Sequence, residues 1–467
     1  MPATFAPDWL VPPADVNELA SSVWPRRTTR DESGEITIGG VRASAVVAAH
    51  GTPVLVLDEQ EVRDRAAETR DAFRNAAAAH NAEVTVYYAG KAFLSTHVAR
   101  WMIEAGLNVD VCSGGELAVA LAAGVEPTRL GFHGNNKSDA EIERAVSLGI
   151  GTIILDSREE VDRVAQAAVA AGTRQRVLVR VSSGVHAETH DFLATAHEDQ
   201  KFGITLDDAP AVVSAIRAHA SLEFRGLHCH IGSQIFGASG FRESARRVVA
   251  VHADLLAGGE IPQLNLGGGF GIAYTSVDDP APIADLAREI VDAVAEECTA
   301  LGITIPHLSF EPGRSIVGTA GVTNYRVGTT KEVTVDTTEG ERTRRYISVD
   351  GGMSDNARTA LYGAQYSARL ANRITGSAPQ LSRVVGMHCE SGDIVVDHEY
   401  LPADVQRGDL IAVPATGAYC ASLASNYNHV PRPPVVAVRD GQTRILVRGE
   451  TIDDLLARDA GADEGEA

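Results

Sequence analysis

Lys91 stands in Tyr87-Tyr88-Ala89-Gly90-Lys91-Ala92-Phe93, between an aromatic, apolar run and a helical stretch. A lysine in such a place is costly unless it has a partner or a task. It is either an ammonium that snorkels to solvent or an amine whose pKa burial lowers, ready to form a Schiff base with a carbonyl. Glu311, in Glu311-Pro312-Gly313-Arg314, is either the ion-pair partner of Arg314 or a carboxylate that keeps a ring nitrogen cationic so that the ring accepts an electron pair. Gly267-Gly268-Gly269 is a tight turn or a loop whose amides approach an anion, with Ser233 adding a hydroxyl and Arg314 a charge.

His228-Cys229-His230 puts two imidazoles two residues apart. They suit a metal, or one ring faces a cofactor while the other is satisfied in the core. The second reading is preferred, because barrel amidohydrolases carry such a pair on the first strand, where this chain carries a lysine. Cys389 opens Cys389-Glu390-Ser391-Gly392-Asp393, a polar stretch in which a thiol can donate a proton, although a buried free cysteine is the plain alternative. Arg358 and Tyr362, four apart on a possible helix, either grip a carboxylate or make ordinary surface contacts.

These residues must be brought together by the elements that carry them. Short β-rich runs centre near Val86, Asp110, Gly131, Ile154, Val179, Leu227, Asn265 and Leu308, and most are separated by amphipathic helical stretches. Eight strand-then-helix units in series predict a parallel (β/α)₈ barrel of the TIM type over 59–317, with a doubly wound open sheet as the alternative. Catalytic groups of such a barrel collect where strands run out into their loops. Those tips carry Lys91, Ser113-Gly114-Gly115, His133, His228 to His230 with Ser233, the triple glycine, and Glu311 with Arg314. After about Gly318 the helical period fades and β-alternating runs with hairpin turns take over. They predict an antiparallel β-barrel or sandwich domain built from both termini, 1–58 together with 318–467, after an aperiodic Pro-rich lead-in to about Arg30. The acidic last dozen residues are expected to be disordered.

The whole chain has 467 residues, ample for two domains and a large core. A net charge of -21 argues against binding a nucleic-acid backbone, which calls for a cationic face. Neither a signal peptide nor an apolar run of membrane-spanning length is visible. Five scattered cysteines without a Cys-x-x-Cys pair suit reduced thiols in the cytoplasm rather than a disulfide framework or a zinc site.

Nine motifs in order, YYAGKAF, DVCSGGEL, FHGNNKS, HEDQKFGI, GLHCHIGSQI, LNLGGGFGI, EPGRSIV, CESGD and GAYCASLASNYN, give a resemblance spanning about Val54 to Tyr427. The chain resembles the pyridoxal-phosphate-dependent diaminopimelate decarboxylases, in the barrel-type group that also holds eukaryotic ornithine decarboxylase. The resemblance implies conversion of meso-2,6-diaminopimelate to L-lysine and CO₂, the last step of lysine biosynthesis. It implies that Lys91 holds the cofactor aldehyde, His230 stacks on the ring and Glu311 pairs with the ring nitrogen. Ser233, Gly267, Gly268, Gly269, Gly313, Arg314 and Tyr419 would surround the phosphate. Cys389 would donate the proton into the site of a neighbouring subunit, making a homodimer with shared active sites the working unit. Arg314, Arg358, Tyr362, Glu390 and Tyr419 would read the substrate, with Arg314 and Arg358 on the distal carboxylate and Glu390 on the distal ammonium. No metal is called for. Ser182-Ser183-Gly184 departs from the family in lacking the Asn-Pro expected before this glycine, and the Pro-rich arm is also outside the pattern. Rival readings are decarboxylation of ornithine or arginine, a catalytically silent cofactor-binding homologue, and a metal-dependent amidohydrolase.

Overall fold

A computed structural model describes residues 5–185, 201–337 and 340–462. The chain divides into two units, one of 63–272 with 279–316 and the other of 1–62, 273–278 and 317–467.

The first unit holds eight parallel strands: Val84–Ala89, Asn108–Val111, Leu130–Phe132, Thr152–Leu155, Gln175–Ser182, Leu222–Cys229, Gln263–Asn265 and His307–Phe310. The fourth meets the fifth with Ile153 opposite Val177, and the eighth returns to the first with Leu308 opposite Val84 and Phe310 opposite Val86. The sheet is therefore closed, which rules out the open doubly wound alternative. Strands such as Thr152–Leu155 are buried along their whole length, as a parallel sheet covered by helices requires. The helices after the first four strands each start at a serine, Ser95, Ser113, Ser138 or Ser157, whose hydroxyl accepts a backbone N–H of the first turn. These caps fix how far each loop runs beyond its strand tip. Phe73 of the helix Glu59–Ala78 stacks on Phe310 with ring centroids 4.0 Å apart, filling the space behind the eighth strand.

In the second unit Val54–Asp58 lies between Gly321–Thr337, antiparallel to it, and Val435–Arg439, parallel to it. Gly340–Val349 also pairs in parallel with Pro379–Val385. The sheet is thus mixed, where hairpin patterning had predicted antiparallel pairing throughout. Turn residues report only on neighbours in sequence; parallel partners need a long connection and leave no local signal. The end of the lead-in, Thr28–Arg30, joins Ile36–Ile38 and Val41–Arg42 in a three-stranded sheet. Near the end a short helix, Ile452–Leu456, precedes the tail expected to be disordered, of which 463–467 lie outside the described residues. No helix among the described residues is long and apolar enough to cross a membrane.

Candidate active site

A cavity of about 560 Å³ opens at the ends of the barrel strands, and Lys91, His230, Ser233 and Glu311 all line it. Lys91 sits in the one-turn helix Gly90–Ala92 directly after the first strand. Its side chain is exposed rather than enclosed in apolar surroundings, as in the snorkelling alternative: the strand ends at Ala89 and the turn carries the amine past the core. Glu311 follows the eighth strand and is buried. Its carboxylate receives Asn265 Nδ2 at 2.7 Å and lies 3.1 Å from His228 Nε2 and 3.2 Å from His133 Nε2. His133 Nε2 is also 3.5 Å from Asp110 Oδ1. Arg314 Nη2 donates to Ser233 Oγ at 2.9 Å.

Burial penalises the Glu311 carboxylate, yet the imidazoles of His228 and His133 override that penalty and hold it well below the usual range. Burial likewise opposes a charge on His133, but Glu311 and Asp110 outweigh it and lift this imidazole to about 9. Asp110 is pushed up to about 7, first by burial and then by Glu311. His228 falls to about 4 because burial dominates. We therefore read Glu311 as an anion held against the His133 cation, with His228 neutral. Burial, and then the charges of Lys91 and Arg180, keep His230 far below its ordinary value, so its ring is neutral and suits stacking rather than acid catalysis. Cys112 also lines the cavity, but burial and Glu116 raise its thiol to about 12, which leaves it protonated and a poor nucleophile.

The glycine loop behaves differently from a free cradle. Gly267 N–H donates to Asn265 Oδ1 at 2.8 Å and Gly268 N–H to His230 Nδ1 at 3.3 Å, so two of the three amides are already engaged. A Cβ on Gly268 would meet Glu311 O at 2.0 Å; the glycine lets the seventh and eighth loops pack together. The loop's visible work is to hold the His230 ring through the Gly268 amide.

His228 turns towards Glu311 and does not pair with His230. With His133 and Glu311 it forms a group whose donor atoms lie within 4.8 Å of one another. Sequence reasoning gave His133 no role and did not single out Asp110 or Arg180 for one. Arg180, on the fifth strand, lines the cavity with its guanidinium 4.4 Å from the ring centroid of Phe202. A charged residue inside an apolar strand was the available signal for Asp110 and Arg180 alike. Of the motif HEDQKFGI, residues 197–200 lie outside the described residues, while Lys201 and Phe202 line the cavity.

The remaining predicted residues belong to the second unit. Cys389 and Glu390 are exposed on the loop before Ile394–Pro402, and the Glu390 carboxylate accepts from Ser391 Oγ and Gly392 N–H, each at 3.2 Å. Arg358 is buried, bonded through Nη1 to Tyr366 Oη at 2.5 Å and 4.5 Å from the centroid of Tyr274. Tyr362, by contrast, is 56% exposed. The helix Arg358–Tyr362 is a single turn that ends at Gly363, with Arg358 buried at its start and Tyr362 exposed at its end. Tyr419 adopts a positive φ of 63°, an uncommon conformation for an aromatic residue.

Residues 61–318 match the family model described as the pyridoxal binding domain of pyridoxal-dependent decarboxylases. The diaminopimelate decarboxylase of Mycobacterium tuberculosis strain H37Rv is 50% identical over 447 residues, covering 94% of this chain and 98% of that protein. The Staphylococcus aureus strain COL protein of the same name is 40% identical, with 92% and 98% covered. Among solved structures, a diaminopimelate decarboxylase from M. jannaschii in complex with L-lysine superimposes with a TM-score of 0.85 at 29% identity, over 93% of this chain and 98% of that one. This chain belongs to the diaminopimelate decarboxylase family of pyridoxal-dependent decarboxylases.

Proposed function

We infer that the protein removes CO₂ from one amino-acid head of meso-2,6-diaminopimelate and releases L-lysine, with pyridoxal phosphate as its cofactor. The observation that carries this reading is one cavity lined by both the Lys91 amine and a buried Glu311 carboxylate held well below the usual range. The residues fit the cofactor. Asp110 Oδ2 and His228 Nδ1 are buried without a hydrogen-bond partner among the described residues, and the cavity has the size of a small-molecule site.

Bound there, pyridoxal phosphate supplies an aldehyde for the substrate amine and a cationic ring that takes up the electron pair left by CO₂. Lys91 would hold it through the amine and take it back after each turnover. His230, neutral and half-buried, would cover one ring face, and Glu311 would face the ring nitrogen. Ser233 and Arg314, already hydrogen-bonded to each other, would take the phosphate together with Tyr419, Gly313 and the glycine loop from Gly267 to Gly269. Cys389 would hand its Sγ proton to the carbon that lost CO₂. Arg358, with Tyr362 and Glu390, would read the far amino-acid head, which presents both a carboxylate and an ammonium.

We further assign the working unit as a homodimer in which Cys389 serves the partner's cavity. Cys389 and Glu390 are exposed, and nearby segments expose the apolar side chains Leu361, Tyr362, Met387, Leu423 and Tyr427. All five cysteines are free, which suits the cytoplasm.

The test is incubation of the cofactor-loaded protein with meso-diaminopimelate, ornithine and arginine in parallel. Lysine and CO₂ from the first alone supports the reading; turnover of either other substrate at a comparable rate replaces it. Mixing Lys91→Ala and Cys389→Ala subunits should restore about a quarter of the parent activity if sites are shared, since half of the dimers then carry one intact site. No recovery on mixing would place the thiol in its own subunit's site.

A further inference from the structure

We propose that Asp393 and Asn428 are positioning residues that fix where the Cys389 thiol stands, and so which carbon receives its proton. This deepens the reading of Cys389 as proton donor and rests on it. An exposed side chain has no packing to hold it, yet proton delivery demands a defined place. Here the backbone is held on both sides of the thiol. Cys389 N–H donates to Asn428 Oδ1 at 3.1 Å. The preceding residue, His388, donates its N–H to Asp393 Oδ2 at 2.7 Å, while Met353 N–H donates to Asp393 Oδ1 at 2.6 Å. The loop closes through Asp393 N–H to Glu390 O at 3.2 Å and Gly386 N–H to Asp393 O at 3.0 Å.

The surroundings are shaped to this carboxylate. Asp393 is only 4% exposed, and a Cβ on Gly352 or Gly386 would come within 2.4 or 2.2 Å of its oxygens. Charge-assisted bonds to backbone N–H groups are short and stiff, which makes the carboxylate a peg around which the hairpin end is wound. Asn428 holds the other side from a left-handed conformation, φ 53°, that asparagine tolerates better than most residues. One clamp is therefore buried and the other exposed, and both end on the two residues 388 and 389.

The chemistry makes placement matter. When CO₂ leaves, its former carbon takes the Sγ–H proton and the thiolate is reprotonated by water, giving lysine. If the thiol stands wrongly, a proton from water can instead reach the carbon that came from the cofactor aldehyde. Hydrolysis then yields the aminated cofactor and 2-amino-6-oxohexanoate in place of lysine. The water consumed is the one released when amine and aldehyde condensed, so no further reactant is needed.

The experiment measures lysine formed per CO₂ released, together with the aldehyde absorbance of the loaded enzyme, for the parent, Cys389→Ala, Asp393→Asn and Asn428→Ala. Displacement of a reacting group by about 1 Å costs on the order of 10²-fold in rate, so both clamp variants should lose lysine formation by roughly ten- to a hundredfold. CO₂ release should fall less, and the aldehyde absorbance should decay during turnover. If both keep one lysine per CO₂ and a stable cofactor while Cys389→Ala does not, the clamp proposal is wrong. If Cys389→Ala itself keeps that ratio at full rate, the donor reading has failed instead. Asn428 is exposed, so Asn428→Ala decides the matter even if Asp393→Asn does not fold.

Discussion

Replacing Glu311 by glutamine preserves shape and removes one charge. Two unit charges 3.2 Å apart, the distance from His133 Nε2 to Glu311 Oε1, attract by about 5 kcal/mol at an effective dielectric of about 20. A cationic ring nitrogen facing the same carboxylate loses an interaction of that order when the carboxylate becomes an amide. The amide oxygen can still accept from Asn265 Nδ2 and recover part of it. A net loss of about 3–5 kcal/mol lowers kcat roughly 10²- to 10⁴-fold. KM should change little, because in the proposed role the acid would act on the ring and not on the substrate head. Folding should survive, since His133 keeps Asp110 as a partner at 3.5 Å. The assay is CO₂ release at saturating meso-diaminopimelate with excess cofactor, checked against lysine produced. A kcat for Glu311→Gln within tenfold of the parent would show that the charge of this acid does not drive the reaction.

Three further outcomes are expected. Lys91→Ala should give no borohydride-fixed cofactor adduct, and an adduct mapped to any other lysine would overturn its assignment. Lys137 and Glu160 are both 2% exposed and paired at 3.0 Å, so Glu160→Gln leaves a buried ammonium with carbonyl partners but without its counter-charge, and should cost about 3 kcal/mol in urea unfolding. Lys137→Met with Glu160→Leu should recover most of that, and an unchanged midpoint for Glu160→Gln contradicts the argument. His133, raised to about 9, contributes stability that is complete below its unfolded value of about 6.5 and is lost as pH rises through 9. Melting of the cofactor-free protein should therefore decline between pH 8 and 9, above the range in which Asp110, raised to about 7, mostly titrates. His133→Gln should flatten that decline; a parallel curve for the variant speaks against the assignment.

Lys91, His230, Ser233 and Glu311 were legible because each follows a strand, and the ends of barrel strands share one rim whatever the helices between them do. The eight strands were legible for a related reason, since burial on both faces demands continuous apolar runs. Asp110, His133 and Arg180 were not assigned roles. They come from the second, third and fifth strands, and nothing local says that His133 will bridge Asp110 and Glu311. The same limit applies to Arg358 and Tyr362, whose spacing did not show that one would be buried and the other exposed.

The order of apolar runs, caps and glycines thus determined by itself a strand-and-helix series with an amine at its first tip and an acid at its last. It also determined the exposed loop that carries Cys389. Only tertiary structure decided that the eighth strand closes on the first and that the terminal sheet is mixed. It also decided that Glu311 stands between two imidazoles of unequal charge. The reason is physical: propensity and periodicity act over a few residues, whereas pairing register, burial and the charge of a buried group depend on whatever distant segments happen to surround it.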